Sequence, residues 1–340
     1  MRAAIRNGFI GSTCALASNH ATPEFLKETT NKDDVYVKVN SSAINPIDYK
    51  APRMMLGSIF GQDFCGIVTE VGSNCRDKFQ IGDQVFGNAK GTTAEYTIAA
   101  SKKIAKAPSD WKPSDCAALP TGYQSALQCL RRGNIIGVAE DEDSWMKNAG
   151  EKSVLVIGAS GGCGVAGLQL CRAAGVSRVV AICSKKNESF VKEIGGDNVE
   201  VLDYSNQDEF ESFFFENTGK FDCVYDAATN SGGGEDYWNK SIDLLKRNEN
   251  GAVIGVYTAL NGSVSKWIRQ LAIGKQKTKN ENLIMMDSNT GDLDLVISLL
   301  NKIEARPFTR IMPFTEEGVV EAYNLLKSRR AKGKIVVEIV

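Results

Sequence analysis

The residues Val154-Leu-Val-Ile-Gly-Ala-Ser-Gly-Gly-Cys-Gly-Val-Ala-Gly-Leu-Gln-Leu170 contain an apolar strand, a glycine-rich turn and the start of a helix. Glycine is required where a chain turns tightly, where backbone approaches a pyrophosphate and where a helix packs closely on a strand. The N–H groups at the helix start then face the anion. Because a second strand follows at residues 178–183, the stretch predicts a dinucleotide-binding βαβ unit.

The glycines of this turn fit two registers of the dinucleotide fingerprint. Gly162, Gly164 and Gly167 match the GxGxxG spacing literally. We favour Gly158, Gly161 and Gly164, because this register puts the turn directly after the strand. The alternative interpretation is a strand–helix turn that holds no ligand. The predicted phosphate contacts are Ser160, Gly161, Gly162, Cys163 and Gly164.

The residues after the second strand indicate which dinucleotide binds. An NAD-binding unit usually carries Asp or Glu about 20 residues beyond the glycines, where it binds the ribose hydroxyls. Here Ser184 holds that position, Lys185 and Lys186 follow, and the first acid is Glu188. A hydroxyl and two ammonium groups suit a 2′-phosphate, which an acid would repel. We therefore predict NADPH as the cofactor, the alternative being a solvated lysine pair on a loop.

The order of apolar runs predicts an α/β protein of two domains. Beyond residue 151, strand-like runs at 154–157, 178–183, 199–203, 222–226 and 252–256 alternate with helical segments, and an edge strand follows at 283–286. Such alternation predicts a doubly wound parallel sheet with helices on both faces. The first third consists of short strands and glycine turns, typical of a partly closed antiparallel barrel. A helix at 316–329 and a last strand at 334–339 return to it, giving domains 1–121 with 289–340, and 122–288.

Composition excludes several classes of function. With 40 Lys and Arg against 41 Asp and Glu, the net charge is −1, so we expect no nucleic-acid partner. Residues 266–279 form a local basic stretch, which we interpret as a solvated face. The sequence has no apolar run of about 18 residues and no secretory signal pattern, which predicts no spanning helix. Nine scattered cysteines without a CxxC pair indicate reduced thiols and a cytoplasmic location.

Seven ordered motifs resemble the medium-chain dehydrogenase/reductase superfamily in its zinc-independent quinone oxidoreductase (zeta-crystallin-like) branch. The segment 183–204 is similar to chloroplast envelope quinone oxidoreductase homologues and to alkenal/enone reductases. The motifs are Asn45-Pro-Ile-Asp-Tyr-Lys50, residues 61–72, Gly82-Asp-Gln-Val-Phe-Gly87, Ala94-Glu-Tyr96, residues 119–126, the glycine turn and Gly333-Lys-Ile-Val336.

The resemblance implies a GroES-like catalytic domain, a Rossmann domain that binds NADPH, and a homodimer paired through the edge strand near Leu283. It implies that Asn45 and Ser125 lie near the nicotinamide, that Tyr204 borders the 2′-phosphoadenosine and that Lys334 approaches the cofactor. Tyr257 completes the predicted cofactor contacts. The alternatives are a turn residue for Asn45, a helix cap for Ser125 and ordinary packing for Tyr204.

Metal ligands are scarce in this sequence. Asn45, Gln62 and Asp63 occupy the segments where a catalytic zinc would be ligated, and amide side chains are poor zinc ligands. His20 is the only histidine. No metal is therefore predicted. The segment 49–60, which is longer in relatives, is short here, so we expect a more open substrate entrance.

These features predict hydride transfer to a quinone or to the β-carbon of an enone. Asn45, Tyr49 and Lys50 are the candidate catalytic residues that stabilise the developing oxyanion. One alternative is an enoyl-thioester reductase, in which Arg53 or residues 266–269 would bind the pantetheine. Another is a non-catalytic NADPH-binding sensor or scaffold.

Overall fold

The computed structural model describes residues 1–7, 13–22, 32–138, 141–229, 236–263, 265–268 and 280–339. The chain forms two compact units. The first unit comprises Met1–Gln124, Asp287–Asp294 and Arg306–Val340, and the second comprises Ser125–Met286 and Leu295–Ala305. Residues 269–279 of the predicted basic stretch lie outside the described residues.

The strands in chain order are β1 (Ala3–Asn7), β2 (Thr13–Ala17), β3 (Asp34–Ile44), β4 (Asp63–Val71), β5 (Gln84–Asn88), β6 (Tyr96–Ala100), β7 (Ile104–Lys106), β8 (Ser153–Ile157), β9 (Arg178–Cys183), β10 (Val199–Asp203), β11 (Cys223–Asp226), β12 (Val256–Ala259), β13 (Glu281–Leu283), β14 (Thr309–Pro313) and β15 (Lys334–Glu338).

The helices are α1 (Pro46–Lys50), α2 (Arg53–Leu56), α3 (Pro113–Ala118), α4 (Pro120–Arg132), α5 (Glu142–Ala149), α6 (Gly162–Ala173), α7 (Glu188–Gly195), α8 (Gln207–Glu216), α9 (Trp238–Ser241), α10 (Thr290–Lys302) and α11 (Glu316–Ser328). In the described part of the chain, no helix combines the length and the apolar character needed to cross a bilayer.

The first unit is built on a sheet with the strand order β14-β15-β3-β4-β5-β7, in which β6 also pairs with β3. The pair β14–β15 is parallel and the other pairs are antiparallel. Val35, Val37 and Val39 of β3 alternate into a core where each is fully buried. The last strand does return to the first domain, because Ile335 of β15 pairs with Ile44 of β3.

The second unit contains a parallel sheet with the order β10-β9-β8-β11-β12-β13. The chain builds outward from β8 to β10, then crosses to the other side of β8 and builds outward again. In open α/β sheets, ligands bind beyond the carboxyl ends of the strands where this reversal occurs. The predicted doubly wound α/β fold is thus confirmed, and its reversal lies between β8 and β11.

Two predicted strands were displaced along the chain. The strand expected at 252–256 is Val256–Ala259, because Val253 forms an antiparallel bridge with Arg247 instead. The edge strand expected at 283–286 is Glu281–Leu283, which pairs with β12. Both displaced segments are apolar, so hydrophobicity alone did not fix their bounds.

The division of the C-terminal region also differs from the predicted boundaries. Leu295–Ala305, which we expected in the first domain, belong to the second unit. Lys302, at the end of α10, forms an ion pair of 2.8 Å with Glu142 of α5, which also belongs to the second unit.

Candidate functional site

The glycine turn of the second unit has three positions that only glycine fills. Gly158, directly after β8, has a φ of +79°, which favours glycine. A Cβ on Gly164 would lie 2.2 Å from the carbonyl oxygen of Gly158, and one on Gly167 would lie 2.5 Å from the ring of Tyr225. A Cβ on Gly161 would meet that same Gly158 oxygen only at 3.5 Å. Of the three constrained glycines, Gly158 belongs to the register that we favoured, Gly167 belongs to the literal GxGxxG register, and Gly164 belongs to both.

The turn presents the start of α6 to an anion. Gly161 is the N-cap, and α6 begins at Gly162. Ser160, Gly161, Gly162 and Cys163 all remain partly exposed, whereas Gly164 is buried under the turn. Since the first N–H groups of a helix have no partner within it and carry the positive end of its dipole, this surface suits a pyrophosphate.

The lysines predicted to bind a 2′-phosphate lie in a short turn between β9 and α7. The side chains of Lys185 and Lys186 are exposed. The Nζ atom of Lys185 lies 2.6 Å from Oε2 of Glu188, and Nζ of Lys192 lies 2.8 Å from the other oxygen. The hydrogen bonds from Lys185 and Lys192 lower the pKa of Glu188 to about 2. A carboxylate thus stands beside the predicted phosphate site.

Asn187 ties the lysine turn to the glycine turn, and our sequence analysis missed it. Its Nδ2 donates to Oγ of Ser160 at 3.0 Å, and its backbone N–H donates to the carbonyl of Ser184 at 2.8 Å. The side chain is 8% exposed. Its Oδ1 is buried without a hydrogen-bond partner among the described residues, so a donor is missing at this point. An asparagine capping α7 directly after the lysines was the available signal.

Tyr204 stands at the rim of a cavity next to this turn. Its backbone N–H donates to the carbonyl of Cys183 at 3.4 Å, and 47% of the residue is exposed. The cavity has a volume of about 230 Å³ and is lined by Tyr204, Gln207, Phe210, Asp236, Tyr237 and Lys240. Exposed tyrosine rings beside a cavity offer flat surfaces against which a planar base can pack.

Ser125 and Tyr257 are buried, unlike the other predicted cofactor contacts of the second unit. Tyr257 is 1% exposed, and its hydroxyl donates a hydrogen bond to Asp226. Its ring meets Trp238 edge to face with 4.9 Å between the ring centroids. Its side chain is therefore a core element, because β12 turns it into the protein. Ser125 lies within α4, and its side chain is likewise buried.

In the first unit, the fully buried carboxylate of Asp63 is the centre of a polar cluster. It accepts hydrogen bonds from Nδ2 of Asn45 at 2.8 Å and from Nδ2 of Asn88 at 2.7 Å. The hydroxyl of Thr121 donates to it at 2.5 Å, and Nζ of Lys334 lies 3.0 Å away. Our sequence analysis considered Asp63 only as a zinc-ligand position, and this role was missed.

Lys334 is part of the same cluster. The residue is 6% exposed, and its ammonium donates both to Asp63 and to Oδ1 of Asn45. The resemblance implied that Lys334 approaches the cofactor. The structure shows its ammonium directed at two buried side chains of its own unit.

Asn45 directly precedes α1, and Asp48 lies in the first turn of this helix. Asp48 is buried, and it accepts the backbone N–H of Asn45 at 2.7 Å and Nε2 of Gln62 at 3.1 Å. Burial raises the pKa of Asp48 to about 7, and these two hydrogen bonds oppose the rise. Asn45 therefore has both roles at once: its backbone lies in the turn that starts α1, and its side chain binds Asp63.

Tyr49 and Lys50 complete α1, at the end opposite Asn45. The ring of Tyr49 meets Tyr323 edge to face with 6.4 Å between the ring centroids. Burial raises the pKa of Tyr49, and burial together with the nearby Arg329 lowers the pKa of Lys50. A helix of five residues is about 7.5 Å long, so α1 and its N-cap Asn45 together carry the three predicted catalytic residues.

Comparisons with known proteins agree with this architecture. Residues 31–109 match the family described as alcohol dehydrogenase GroES-like domain, and residues 197–337 match the family described as zinc-binding dehydrogenase. The chain is 30% identical over 278 residues to the chloroplast envelope quinone oxidoreductase homolog of Arabidopsis thaliana. This alignment covers 76% of this chain and 78% of that protein.

Two further relatives cover almost the whole chain. The chain is 28% identical over 341 residues to the chloroplastic NADPH-dependent alkenal/one oxidoreductase of Arabidopsis thaliana, with 95% of this chain and 75% of that protein covered. Among solved structures, the quinone oxidoreductase from Coxiella burnetii superposes with a TM-score of 0.76 at 25% identity, over 100% of this chain and 99% of that one.

Proposed function

Because the chain belongs to the medium-chain dehydrogenase/reductase superfamily, in its quinone oxidoreductase and enone reductase branch, we propose that it uses NADPH to reduce quinones or α,β-unsaturated carbonyl compounds. The protein is an oxidoreductase with relatives that act on each of these substrate classes. The observation that supports a nucleotide cofactor most directly is the bond between Asn187 and Ser160, which joins a phosphate-binding turn to a turn carrying two lysines.

The residues of the second unit fit a phosphorylated nicotinamide dinucleotide. The partly exposed turn at residues 160–163 suits the pyrophosphate. Ser184 directly follows β9, where an NAD-binding unit carries an acid, and Lys185 and Lys186 supply positive charge beyond it. The unsatisfied Oδ1 of Asn187 offers an acceptor for a hydroxyl of the adenosine ribose. The exposed ring of Tyr204 offers a surface for the adenine.

When bound, NADPH supplies a hydride from its nicotinamide ring. The contribution of the protein is to orient the acceptor and to stabilise the negative charge that develops on its oxygen. Asn45, at the N-cap of α1, provides an amide for this purpose, and Tyr49 and Lys50 of α1 provide a hydroxyl and an amino group. Each of these groups donates hydrogen bonds.

Zinc chemistry is implied by the description of the second matched family, and the residues present do not fit a zinc ion. Asn45 and Gln62 offer amide groups, which are poor zinc ligands. Asp63 already accepts hydrogen bonds from its neighbours, and the ammonium of Lys334 lies 3.0 Å from one of its oxygens. A second cation at this position would be repelled. We propose a zinc-independent reaction.

We also propose a homodimer paired through β13, the edge strand that contains Leu283. It lies at the end of the second sheet, and among the described strands it pairs with β12 alone. Light scattering with the wild-type protein and with a variant of the exposed Met285, Met285→Lys, tests this, and a wild-type mass of one chain would contradict it. The cytoplasmic location stays a prediction.

The test of the reaction is the rate of NADPH oxidation with an o-quinone, a small enone and a crotonyl thioester, measured beside NADH. We expect turnover of the quinone or the enone, with a preference for NADPH. The double variant Lys185→Glu, Lys186→Glu should raise the KM for NADPH much more than that for NADH. The fastest turnover with the thioester would indicate an enoyl-thioester reductase. Binding of NADPH without turnover of any acceptor would indicate a sensor or scaffold.

A further inference from the structure

The buried ion pair between Lys334 and Asp63 stands directly behind Asn45. The side chains are 7% and 0% exposed, and 3.0 Å separates Nζ from Oδ2. Taking two charges out of water is costly unless their geometry is good and further hydrogen bonds satisfy them. Asn88 and Thr121 supply such bonds to the carboxylate at 2.7 Å and 2.5 Å. Neutral neighbours therefore satisfy the hydrogen-bonding capacity of the carboxylate beside Lys334.

These two charges determine which way round the amide of Asn45 stands. A carboxylate only accepts hydrogen bonds, so the group of Asn45 that faces Asp63 must be Nδ2. An ammonium only donates, so the group that faces Lys334 must be Oδ1. The structure has both contacts. If the amide flipped, Oδ1 would face the carboxylate of Asp63 and Nδ2 would face the ammonium of Lys334. Both contacts would then be repulsive.

We propose that Asp63 and Lys334 are positioning residues that lock the amide of Asn45 in one orientation for hydride transfer. The inference rests on the proposed function, in which Asn45 donates a hydrogen bond to the negatively charged oxygen of the acceptor. A locked Nδ2 keeps its second hydrogen in a fixed direction. Preorganised donors of this kind stabilise developing charge because they need no rearrangement during the reaction.

Removal of Lys334 should make the orientation of Asn45 dependent on pH. In Lys334→Met, Asp63 has no counter-charge and takes up a proton more readily in its buried position. A protonated Asp63 donates a hydrogen bond, which Oδ1 of Asn45 can accept, so the amide can turn. The charged groups that face Asp63 in the described chain are Lys334 from β15 and Asp48 from α1, while β5 and α4 contribute the neutral Asn88 and Thr121.

The kinetic test compares four variants with wild type over a range of pH. Lys334→Met should lower kcat by about 100-fold at low pH, because misplacement of one active-site group can slow a reaction by that factor. The kcat of this variant should recover as the pH rises. The KM for NADPH should change by less than about twofold, since the nucleotide-binding turns are untouched. The double variant Lys334→Met, Asp63→Asn should have a low kcat without this pH dependence. Lys334→Arg should restore most of kcat.

Lys332→Met is the matched control, since it changes an exposed lysine two residues away and should leave kcat unchanged. Because Asp48 is present in the wild type and in Lys334→Met, only the additional pH dependence of the variant is assigned to Asp63. Melting temperatures identify any variant that fails to fold. If Lys334→Met keeps the kcat and pH profile of the wild type, the pair has only a structural role and the proposal is wrong.

A second readout needs no substrate and so separates this inference from the proposed function. The side-chain amide resonances of Asn45 are followed over a range of pH in ¹⁵N–¹H spectra of the wild type and of Lys334→Met. In Lys334→Met they should shift in a single additional step. Wild type without reductase activity would refute the proposed function alone. Resonances that are identical in the two proteins at every pH would refute the lock.

Discussion

Lys185 and Glu188 form an ion pair with 2.6 Å between Nζ and Oε2, directly beyond the carboxyl end of β9. The hydrogen bond that Lys185 donates to Glu188 raises the pKa of Lys185. The same carboxylate also bonds Lys192 one turn along α7. Lys185, which we predict to bind a 2′-phosphate, is thus already paired with Glu188. An incoming phosphate must compete with this carboxylate.

Glu188→Gln should therefore strengthen the preference for NADPH. Removing one negative charge beside the phosphate site lowers the KM for NADPH by about 3- to 10-fold and changes that for NADH by less than about twofold. Steady-state kinetics with both cofactors measure the effect. Glu193→Gln, at an exposed position of α7, is the control and should change neither value. Equal changes for the two cofactors would show that Glu188 does not compete for the phosphate.

Asn187→Ala should weaken the binding of both cofactors. The substitution removes the 3.0 Å bond to Ser160 and thereby separates the lysine turn from the glycine turn. Loss of one such bond corresponds to about a 10-fold rise in Kd. Fluorescence titration with NADPH and NADH measures it. Asn198→Ala changes an exposed asparagine at the other end of α7 and should have no effect. A Kd equal to that of wild type would remove Asn187 from the cofactor site.

Gly164→Ala should destabilise the protein and abolish cofactor binding. The new Cβ would lie 2.2 Å from the Gly158 oxygen and 2.6 Å from Cα of Ala159, both backbone atoms that cannot move aside. We expect a loss of about 2–3 kcal/mol in the free energy of unfolding. Gly161→Ala adds the same methyl group with its nearest contact at 3.5 Å and should cost less than about 1 kcal/mol. Denaturant titrations compare them, and equal losses would contradict this account of the turn.

Asp222 should make the second unit more stable at neutral pH than in acid. Burial raises the pKa of this carboxyl, but the bonds from Lys246 and Ser153 outweigh burial and hold the pKa below its usual value. A lowered pKa in the folded state means that the stabilisation is present above the unfolded pKa of about 3.9 and is lost as the pH falls through the folded pKa. Asp222→Asn should cost about 1–3 kcal/mol at neutral pH, with the difference from wild type shrinking in acid.

Glu200→Gln is the control for Asp222. Its partner Arg178 lies at 2.9 Å, but 57% of the Glu200 side chain is exposed. Exposed pairs contribute about 0.2–1 kcal/mol. Urea titrations over a range of pH separate the two cases. A difference between Asp222→Asn and wild type that does not depend on pH would mean that the carboxylate charge is not the stabilising feature.

The features that could be predicted from the sequence are those that depend on residues close together along the chain. The apolar run before Gly158, the glycine turn and the lysines after β9 all lie within one βαβ unit, and the structure places them next to one another. The strands 178–183 and 199–203 have the predicted bounds, because each contains valines together with Ile182 or Leu202 in a short apolar run. The strand at 256–259 was misplaced because the residues before it, including Val253, are equally apolar.

The polar cluster of the first unit could not be predicted in the same way. The partners of Asp63 are separated from it by 18 residues at Asn45, 25 at Asn88, 58 at Thr121 and 271 at Lys334. No local spacing relates such positions, and only the pairing of β15 with β3 brings Lys334 to Asn45. Tyr257 shows a second limit, since the sequence did not reveal that β12 buries its ring.

The place of β15 in the first sheet affects how the protein is made. Val336 and Val337 are buried where β15 lies against Ala43 and Ser42 of β3, so this sheet is incomplete until the segment that contains β15 has left the ribosome. The strands of the second sheet are synthesised one after another, from β8 to β13, well before that point. During translation the second unit can fold while the first waits with an open edge, and chaperones would be needed at that edge rather than at the parallel sheet.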